Sequence, residues 1–258
     1  LQIIHNTCTQ TSSKLTLSQD DSISLINLAQ AQSSLPFLLP YIKDSSLLYN
    51  IKHQTKLMML NYYQIEQFTR RIADLFDTNN ISYILLKGIS LAAFYPVPEY
   101  RKLGDVDIYI NDKEMFNRAS ALLLANGYKK DDEISDHHQG YLYKVPKTGR
   151  TMILELHYRI VGLYQYAPAN KIVDAVFASG TFTPIMQKVN DRSYSVLPPT
   201  EYTFYMIHHM LKHYLYSGFG IRLLCDFSFY LEYNYTDIDF VKIHTWCEES
   251  KILHLYEI

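Results

Sequence analysis

Residues 101–110 read RKLGDVDIYI, a stretch that combines the apolar residues of a buried β-strand with two carboxylates. Val106 and Ile108 favour burial, whereas Asp105 and Asp107 carry charge. Side chains two residues apart in a strand point to the same face, about 6.5–7 Å from each other, so we expect the two aspartates to project together. Burying two like charges is costly unless a pKa shifts or a cation neutralises them. The stretch therefore predicts a core strand whose two acids either have shifted pKa values or bind a cation.

A third acid follows in the segment RTMILELHYRI, residues 150–160. The alternation of this predicted strand puts Glu155 and His157 on the face opposite to its leucines. If the two strands are neighbours, Glu155 joins the two aspartates in a set of oxygen ligands suited to Mg²⁺. Two such ions about 3.5–4 Å apart can hold the attacking and leaving oxygens of a phosphoryl transfer. The alternative is structural, because a D-x-D pair alone is common: the first aspartate ends a turn, and the second is a solvated edge residue.

The segment upstream of the acids has the pattern of a strand, a turn and a short helix. Residues 81–86 (ISYILL) form the predicted strand, and the helix SLAAFY ends at Pro96. Between them, Gly88 allows a tight turn, and the helix that follows offers free N–H groups to an anion. Lys87 adds a positive charge for a phosphate. An ordinary strand-to-helix turn is the alternative interpretation.

The rest of the chain divides into helical ends and a mixed centre. We predict an N-terminal helical region over residues 1–79, a catalytic core over 80–165 and a C-terminal helical domain over 166–258. The periodicity and turn signals within them predict further elements: helices at 20–32, 56–76, 112–127 (with Asp112 as N-cap and Gly127 as terminator), 200–216 and 221–233, and a hairpin at 140–145 and 150–160.

Composition excludes several classes of protein. The 258 residues are 48% hydrophobic and 19% charged, which is typical of a globular chain, and the net charge of −2 gives no basic field for a long nucleic acid. The cysteines Cys8, Cys225 and Cys247 are odd in number and far apart, so we expect no disulfide framework or zinc ribbon and a reducing cytoplasm.

The sequence shows neither a membrane span nor a signal layout. It begins with Leu1 and stops within a helical-looking segment, and we expect it to be part of a longer protein. Oligomeric state is not predictable from these features.

Three blocks together resemble the nucleotidyltransferase superfamily of the polymerase-β type. They are ILLKG, RKLGDVDIYI and, some fifty residues on, LELHYRI; the C-terminal HHMLKHYLY and GIRLLCDFSFYL also look like the helical block of a largely uncharacterised bacterial branch. The similarity covers roughly residues 60–235. It implies a mixed, twisted α/β (α+β) sheet of nucleotidyltransferase type, flanked by helices and by N- and C-terminal helical parts that form a cleft.

The resemblance also implies roles for particular residues. Metal ions, Mg²⁺ or Mn²⁺, would bind to the three acids, and an NTP would place its phosphates against Lys87 and Gly88. The wider superfamily has Gly-Ser or Gly-Gly at this turn, whereas here Ile89 follows the glycine. Ser90 lies one place later, and the lysine can substitute for the serine contact.

The implied activity is transfer of an NMP group from an NTP to a hydroxyl or phosphate of a small molecule, a sugar or a peptide. One alternative is a non-catalytic, antitoxin-like regulatory protein on the same fold, and another is a sugar-phosphate transferase that reuses the metal site. The presence of all three acids favours the enzyme. A kinase is not indicated, because the sequence lacks G-x-G-x-x-G, H-R-D and Walker motifs.

Five more residues are candidates for the rim of the site. Arg101 either neutralises a phosphate or pairs with the aspartates. His157 is a general base, a positioning partner or a satisfied core histidine, and Arg159 follows it on the acceptor side. Arg222 and Asp226 are spaced for an i, i+4 ion pair, or they hold the helical domain against the site or bind the acceptor.

Three further expectations concern metals and stability. His209 and His213 share a helical face but lack the glutamate of the H-E-x-x-H zinc motif, so a zinc site there is disfavoured. We expect Mg²⁺ to bind weakly without nucleotide, because the acids repel one another. Treating Lys87 as an exposed charge, we expect Asp107→Asn and Lys87→Ala both to stay folded.

Overall fold

The computed structural model describes residues 19–216, 218 and 220–256. Cys8 and the rest of residues 1–18, which open the predicted N-terminal region, lie outside the described residues. The chain forms a mixed five-stranded sheet with helices around it, and a second, two-stranded sheet. The predicted fold class is confirmed.

The elements are numbered in chain order. The helices are α1 (Gln19–Ala31), α2 (Ser45–Thr78), α3 (Ile89–Ala92), α4 (Lys113–Ala125), α5 (Ala167–Val176), α6 (Pro199–Tyr216), α7 (Ile221–Asn234), α8 (Phe240–Glu249) and α9 (Leu253–Tyr256). The strands are β1 (Ile84–Leu85), β2 (Val106–Tyr109), β3 (Lys129–Lys130), β4 (His138–Lys144), β5 (Thr151–His157), β6 (Ile185–Val189) and β7 (Arg192–Val196).

Strand β2 lies inside the large sheet, whose order is β1-β2-β5-β4-β3. It pairs antiparallel with β1 and parallel with β5. The condition for Glu155 to join the two aspartates, that its strand lies beside theirs, is therefore met. The parallel register sets Asp107 opposite Glu155. Partners in register point to the same face of a sheet, so these two carboxylates share one face.

The other face of β2 and β5 is part of the main hydrophobic core. Val106 and Ile108 are 2% and 1% exposed, and Leu154 and Leu156 are fully buried. Helix α4 belongs to the same cluster, and the Tyr141 hydroxyl of β4 donates to Ser120 Oγ of α4 at 2.7 Å. The sheet is therefore anchored to α4 on one side, and Asp107 and Glu155 lie on the other.

Local capping explains where two helices start. Asp44 accepts hydrogen bonds from the backbone of Ser46 and Leu47 at the start of α2. Asp112 accepts one from Met115 N at 2.7 Å, as predicted for the N-cap of α4. Gly127 follows that helix with φ +84°, a left-handed conformation that favours glycine at a helix end.

The predicted C-terminal helical domain also contains a β-hairpin. Strands β6 and β7 pair antiparallel around Asn190 and Asp191, and Asn190 has φ 55°. Helices α5 and α8 were not predicted either. Residues from all three predicted segments share the main hydrophobic cluster, which runs from Tyr62 to Ile252.

A second hydrophobic cluster joins the N-terminal part to α7. It brings Phe37 and Ile51 together with Tyr95 and Phe229, whose ring centroids are 4.6 Å apart. The segment before the acidic strand is thus packed against a helix from the far end of the chain. Within the described residues, no helix has both the length and the apolar character needed to cross a membrane.

Candidate active site

The three predicted acids lie together at the carboxylate-bearing face of the sheet. Asp107 is 1% exposed, whereas Asp105, just before β2, and Glu155 are partly buried. One oxygen from each of Asp107 and Glu155 and one nitrogen of His157 lie within 4.8 Å of one another. His157 Nε2 is 3.1 Å from Asp107 Oδ1 and 3.3 Å from Glu155 Oε2. The structure therefore places His157 directly against the acids.

The turn after β1 runs beside these acids. Gly88 adopts φ +71°, which a residue with a Cβ rarely takes. A Cβ placed on Gly88 would lie 4.0 Å from the carbonyl oxygen of Asp105. Leu86 N donates to the Asp107 carbonyl at 3.1 Å. Because the backbone of the turn is tied to the acidic strand, Lys87 is held at the site.

Lys87 neutralises the buried aspartate. Its Nζ lies 3.0 Å from Asp107 Oδ1, and its side chain is 17% exposed. The expectation that Lys87 is an exposed charge is wrong, because the short turn directs the side chain inward over β2. Its removal would leave Asp107 with the hydrogen bond to His157 and without its cationic partner.

The electrostatics of the two aspartates differ. Burial raises the pKa of Asp107, but the Lys87 charge and the hydrogen bond from His157 outweigh it and leave that pKa well below its usual range. The pKa of Asp105 is raised, first by the negative charge of Asp107 and then by burial. Burial lowers the pKa of His157, while its bonds to Asp107 and Glu155 more than compensate and raise it. Asp107 is therefore ionised, whereas the neighbouring Asp105 has a raised pKa and takes up a proton more readily.

Two clefts meet at the acids. One of about 470 Å³ is lined by Lys87, Asp105, Glu155, His157 and the inner face of α6. The other, of about 450 Å³, lies towards Arg150 and also borders Asp105 and Glu155. A larger cleft of about 640 Å³ lies elsewhere, beside β1 and β7, and the described residues that line it include none of the predicted site residues. The volume of a cleft therefore does not identify the candidate active site, which we place at the carboxylates.

The donor set fits a divalent cation. Asp105, Asp107 and Glu155 supply oxygen atoms, which Mg²⁺ and Mn²⁺ prefer. His157 adds a nitrogen within reach of the same point. The ionised state of Asp107 suits a ligand, since a carboxylate must be deprotonated to bind a metal.

Comparison with known proteins shows the family. The model of a family described as uncharacterised nucleotidyltransferases matches residues 19–257. The chain belongs to this family. No curated protein matches the chain significantly. A crystal structure of an antigenic nucleotidyltransferase-like protein from Paracoccidioides brasiliensis is similar over 69% of this chain and 76% of that chain, with 18% sequence identity and a TM-score of 0.40.

Ser90 is not available to a phosphate in this nucleotidyltransferase family member. It is fully buried, and its Oγ is 3.0 Å from both the Leu86 carbonyl and the Tyr202 hydroxyl. Tyr202 also donates to the Leu86 carbonyl. The prediction of a nucleotide contact through Ser90 is wrong, because the extra Ile89 turns the serine under the helix, where it ties the turn to α6.

Arg101 does not line the cleft either. It is 5% exposed, and its Nε and Nη2 donate to Asp226 of α7 at 2.7 and 2.8 Å. Tyr95 donates to the same carboxylate at 2.7 Å. Both predicted roles, a phosphate ligand and a partner of the site aspartates, are wrong, because a buried guanidinium needs a bidentate acceptor and Asp226 supplies it.

The expected Arg222–Asp226 pair is therefore not formed. Arg222 Nη1 instead donates to the Lys102 carbonyl at 3.2 Å. Asp226 does hold the C-terminal helices against the segment that leads into β2, as the second interpretation proposed. Arg159 lies away from the acids, where its Nε pairs with Asp174 of α5 at 2.7 Å.

The sequence did not indicate two histidines that the structure brings to the site. His137 and His138, at the start of β4, line the same cleft as the acids. The signal was the adjacent pair in DHHQGY, just before the predicted hairpin strand. His209 and His213 face the cleft from α6, with ring centroids 4.6 Å apart. Among the described residues, they do not join a third ligand in a metal-binding group.

Proposed function

We propose that the protein transfers an NMP group from an NTP to a hydroxyl or phosphate of a small molecule, sugar or peptide, with Mg²⁺ or Mn²⁺ as cofactor. The observation that carries the proposal is the register of β2 and β5, which sets Asp107 opposite Glu155 beside the Lys87–Gly88 turn. Two clefts that share Asp105 and Glu155 also suit a reaction with two substrates.

In this reaction an acceptor oxygen forms a bond to the α-phosphorus, and the bond to the leaving pyrophosphate breaks. The three acids would hold the divalent cations, which supply charge neutralisation for both oxygens. Lys87 contacts the phosphates of the NTP from the turn. His157 keeps Asp107 in place, and the proton of the acceptor passes to a carboxylate at the cleft or to water.

The test determines whether the α-phosphate or the γ-phosphate of the NTP is transferred. The protein is incubated with each NTP labelled at the α-phosphate, in Mg²⁺ or Mn²⁺, with a cell extract as the source of acceptors. We expect label in a product for the wild-type protein and none for Asp107→Asn. Asp191→Asn, an exposed aspartate that pairs with Arg70 away from the site, is the matched control and should behave like the wild type.

Two outcomes would overturn the proposal. Transfer of label from the γ-phosphate instead would identify a phosphotransferase. No transfer with any NTP would favour the non-catalytic, regulatory alternative. Calorimetry gives a second measure: Mg²⁺ is expected to bind weakly alone and more tightly with nucleotide, because Mg²⁺ takes one or two carboxylates together with substrate phosphates.

A further inference from the structure

One side of the site is unusually rich in imidazole. Five of the ten histidines in the chain line the cleft of about 470 Å³: His137, His138, His157, His209 and His213. Transfer of a nucleotidyl group needs oxygen ligands for its metal ions, and His157, which holds Asp107, is the one of these rings that the proposed reaction uses. The cluster therefore calls for an explanation of its own.

Three of the rings converge. The ring centroids of His137 and His138 are 4.5 Å apart, and those of His157 are 5.3 and 5.1 Å from them. One nitrogen from each ring lies within 4.8 Å of the other two. The rings come from the start of β4 and the end of β5, where His138 pairs with His157. Their convergence is thus set by sheet register.

The distance between two of the nitrogens matches a metal site. His137 Nε2 and His138 Nδ1 are 3.2 Å apart. Two imidazole nitrogens bound about 2.0–2.1 Å from one tetrahedral Zn²⁺ lie about 3.3–3.4 Å from each other. A single hydrogen bond between the rings gives a similar distance, so the surroundings must distinguish the two.

The surroundings of His137 are those of a metal ligand. Its Nδ1 lies 2.8 Å from Asp136 Oδ1 and 2.9 Å from Ser135 Oγ. A carboxylate on the far nitrogen fixes the ring and leaves the near nitrogen with a lone pair, which is the usual arrangement behind a metal-bound histidine. Leu163 N donates to the other oxygen of Asp136 at 2.8 Å, so the carboxylate is itself held in place.

His157 has an unused nitrogen. Its Nε2 contacts Asp107 and Glu155, whereas its Nδ1 is buried without a hydrogen-bond partner among the described residues. The ring is 3% exposed. An unpaired polar atom at that depth is destabilising unless a ligand binds it or a water does.

We propose that His137, His138 and His157 form a site for a divalent transition metal of the Zn²⁺ class, which adjoins the carboxylate site for Mg²⁺ and borders it at His157 and Glu155. Three imidazoles select Zn²⁺, Co²⁺, Ni²⁺ or Cu²⁺ over Mg²⁺. Glu155 Oε2, at 3.7 Å from His138 Nδ1, is the protein atom placed to complete the set or to face a bound water. The ion would lie in the cleft between the acids and α6.

The test uses Co²⁺ as a spectroscopic probe and Zn²⁺ as competitor, on protein without a polyhistidine tag and without nucleotide. Wild-type protein should develop the visible absorption of four-coordinate Co²⁺ and lose it when Zn²⁺ is added. Loss of a residue that hydrogen-bonds a metal ligand typically lowers metal affinity by roughly 10–100-fold, and we expect a loss of that size for Asp136→Asn. His137→Gln and His138→Gln each remove a ligand and should lower the affinity for Co²⁺ by more than that.

Two controls locate the ion. His53→Gln removes an exposed imidazole of α2 and should leave Co²⁺ binding unchanged. Asp105→Asn removes a ligand of the proposed Mg²⁺ site and should also leave it unchanged. Any one of three results would overturn the site proposal. They are no Co²⁺ absorption in the wild type, Co²⁺ binding retained in both His137→Gln and His138→Gln, and Co²⁺ binding lost in Asp105→Asn. None of these depends on nucleotidyl transfer.

Discussion

At the scale of single residues, Asp107 connects the fold to the proposed chemistry. It is buried, ionised and in contact with Lys87 and His157. We predict that Asp107→Asn leaves nucleotide binding measurable but lowers kcat by orders of magnitude, because the amide no longer neutralises charge in the transition state. Equilibrium binding of a labelled NTP and single-turnover transfer measure the two effects. Full activity in the variant would show that the two-metal interpretation of β2 is wrong.

Lys87 has a second role that its position reveals. Besides contacting phosphates, it stabilises the buried Asp107 charge, so we predict that Lys87→Ala lowers the free energy of unfolding by about 3 kcal/mol, the cost of breaking a buried ion pair. The double variant Lys87→Ala/Asp107→Asn should recover most of that loss, since no unpaired charge remains. Urea unfolding of the wild type, both single variants and the double variant gives the coupling energy. Additive losses would show that the two side chains do not interact.

The sequence predicted the site residues that depend on local spacing. Asp107, Glu155 and His157 follow from strand alternation, and Gly88 follows from the turn between a strand and a helix. It did not predict the partner of Arg101, because Asp226 is 125 residues away. An i, i+4 rule considers only the nearest opposite charge along a helix. A buried guanidinium instead pairs with the carboxylate that can accept several of its hydrogen bonds, wherever that carboxylate lies in the sequence.

At the scale of elements, that ion pair joins α7 to the segment leading into β2. Asp226 accepts from both Arg101 and Tyr95, all of them buried. We predict that Asp226→Ala lowers the free energy of unfolding by about 3–5 kcal/mol, because it leaves a buried guanidinium without its carboxylate. Arg222→Ala, one helical turn away, should cost less than about 1 kcal/mol, since its contact is an exposed one to Lys102. Equal losses in chemical denaturation would instead support the local Arg222–Asp226 pair.

The elements themselves were predictable to different degrees. The hairpin β4–β5 has clear periodicity and confirms the prediction. The helix predicted at 56–76 is confirmed as part of α2, but α2 begins earlier, at Ser45. The hairpin β6–β7 was missed because Ile185 and Met186 are apolar but exposed, which obscures the alternation of a half-buried strand. Its Asn190–Asp191 turn carried the stronger signal, since asparagine tolerates the left-handed conformation that it adopts here.

At the scale of the whole molecule, burial of neutral histidines couples stability to pH. His208 is fully buried on α6, and its Nδ1 lies 2.9 Å from the Tyr164 hydroxyl. Burial, aided by the charge of Arg159, lowers the pKa of His208 to about 3, from 6.5. Between these values the unfolded chain binds a proton that the folded protein does not. Stability from this group is therefore complete above pH 6.5 and is lost as the pH falls towards 3.

The size of the effect follows from the same pKa values. One pH unit is worth about 1.4 kcal/mol per group, so lowering the pH from 7 to 5 should cost about 2 kcal/mol through His208 alone. His137, whose pKa burial lowers to about 4, acts in the same direction, while the raised pKa of His157 acts against it. We predict that the urea midpoint falls between pH 7 and pH 5, and that His208→Asn, although less stable at pH 7, shows a smaller fall. His244→Gln, an exposed imidazole on α8, should show the wild-type fall. An unchanged pH dependence in His208→Asn would mean that this ring titrates normally in the folded protein.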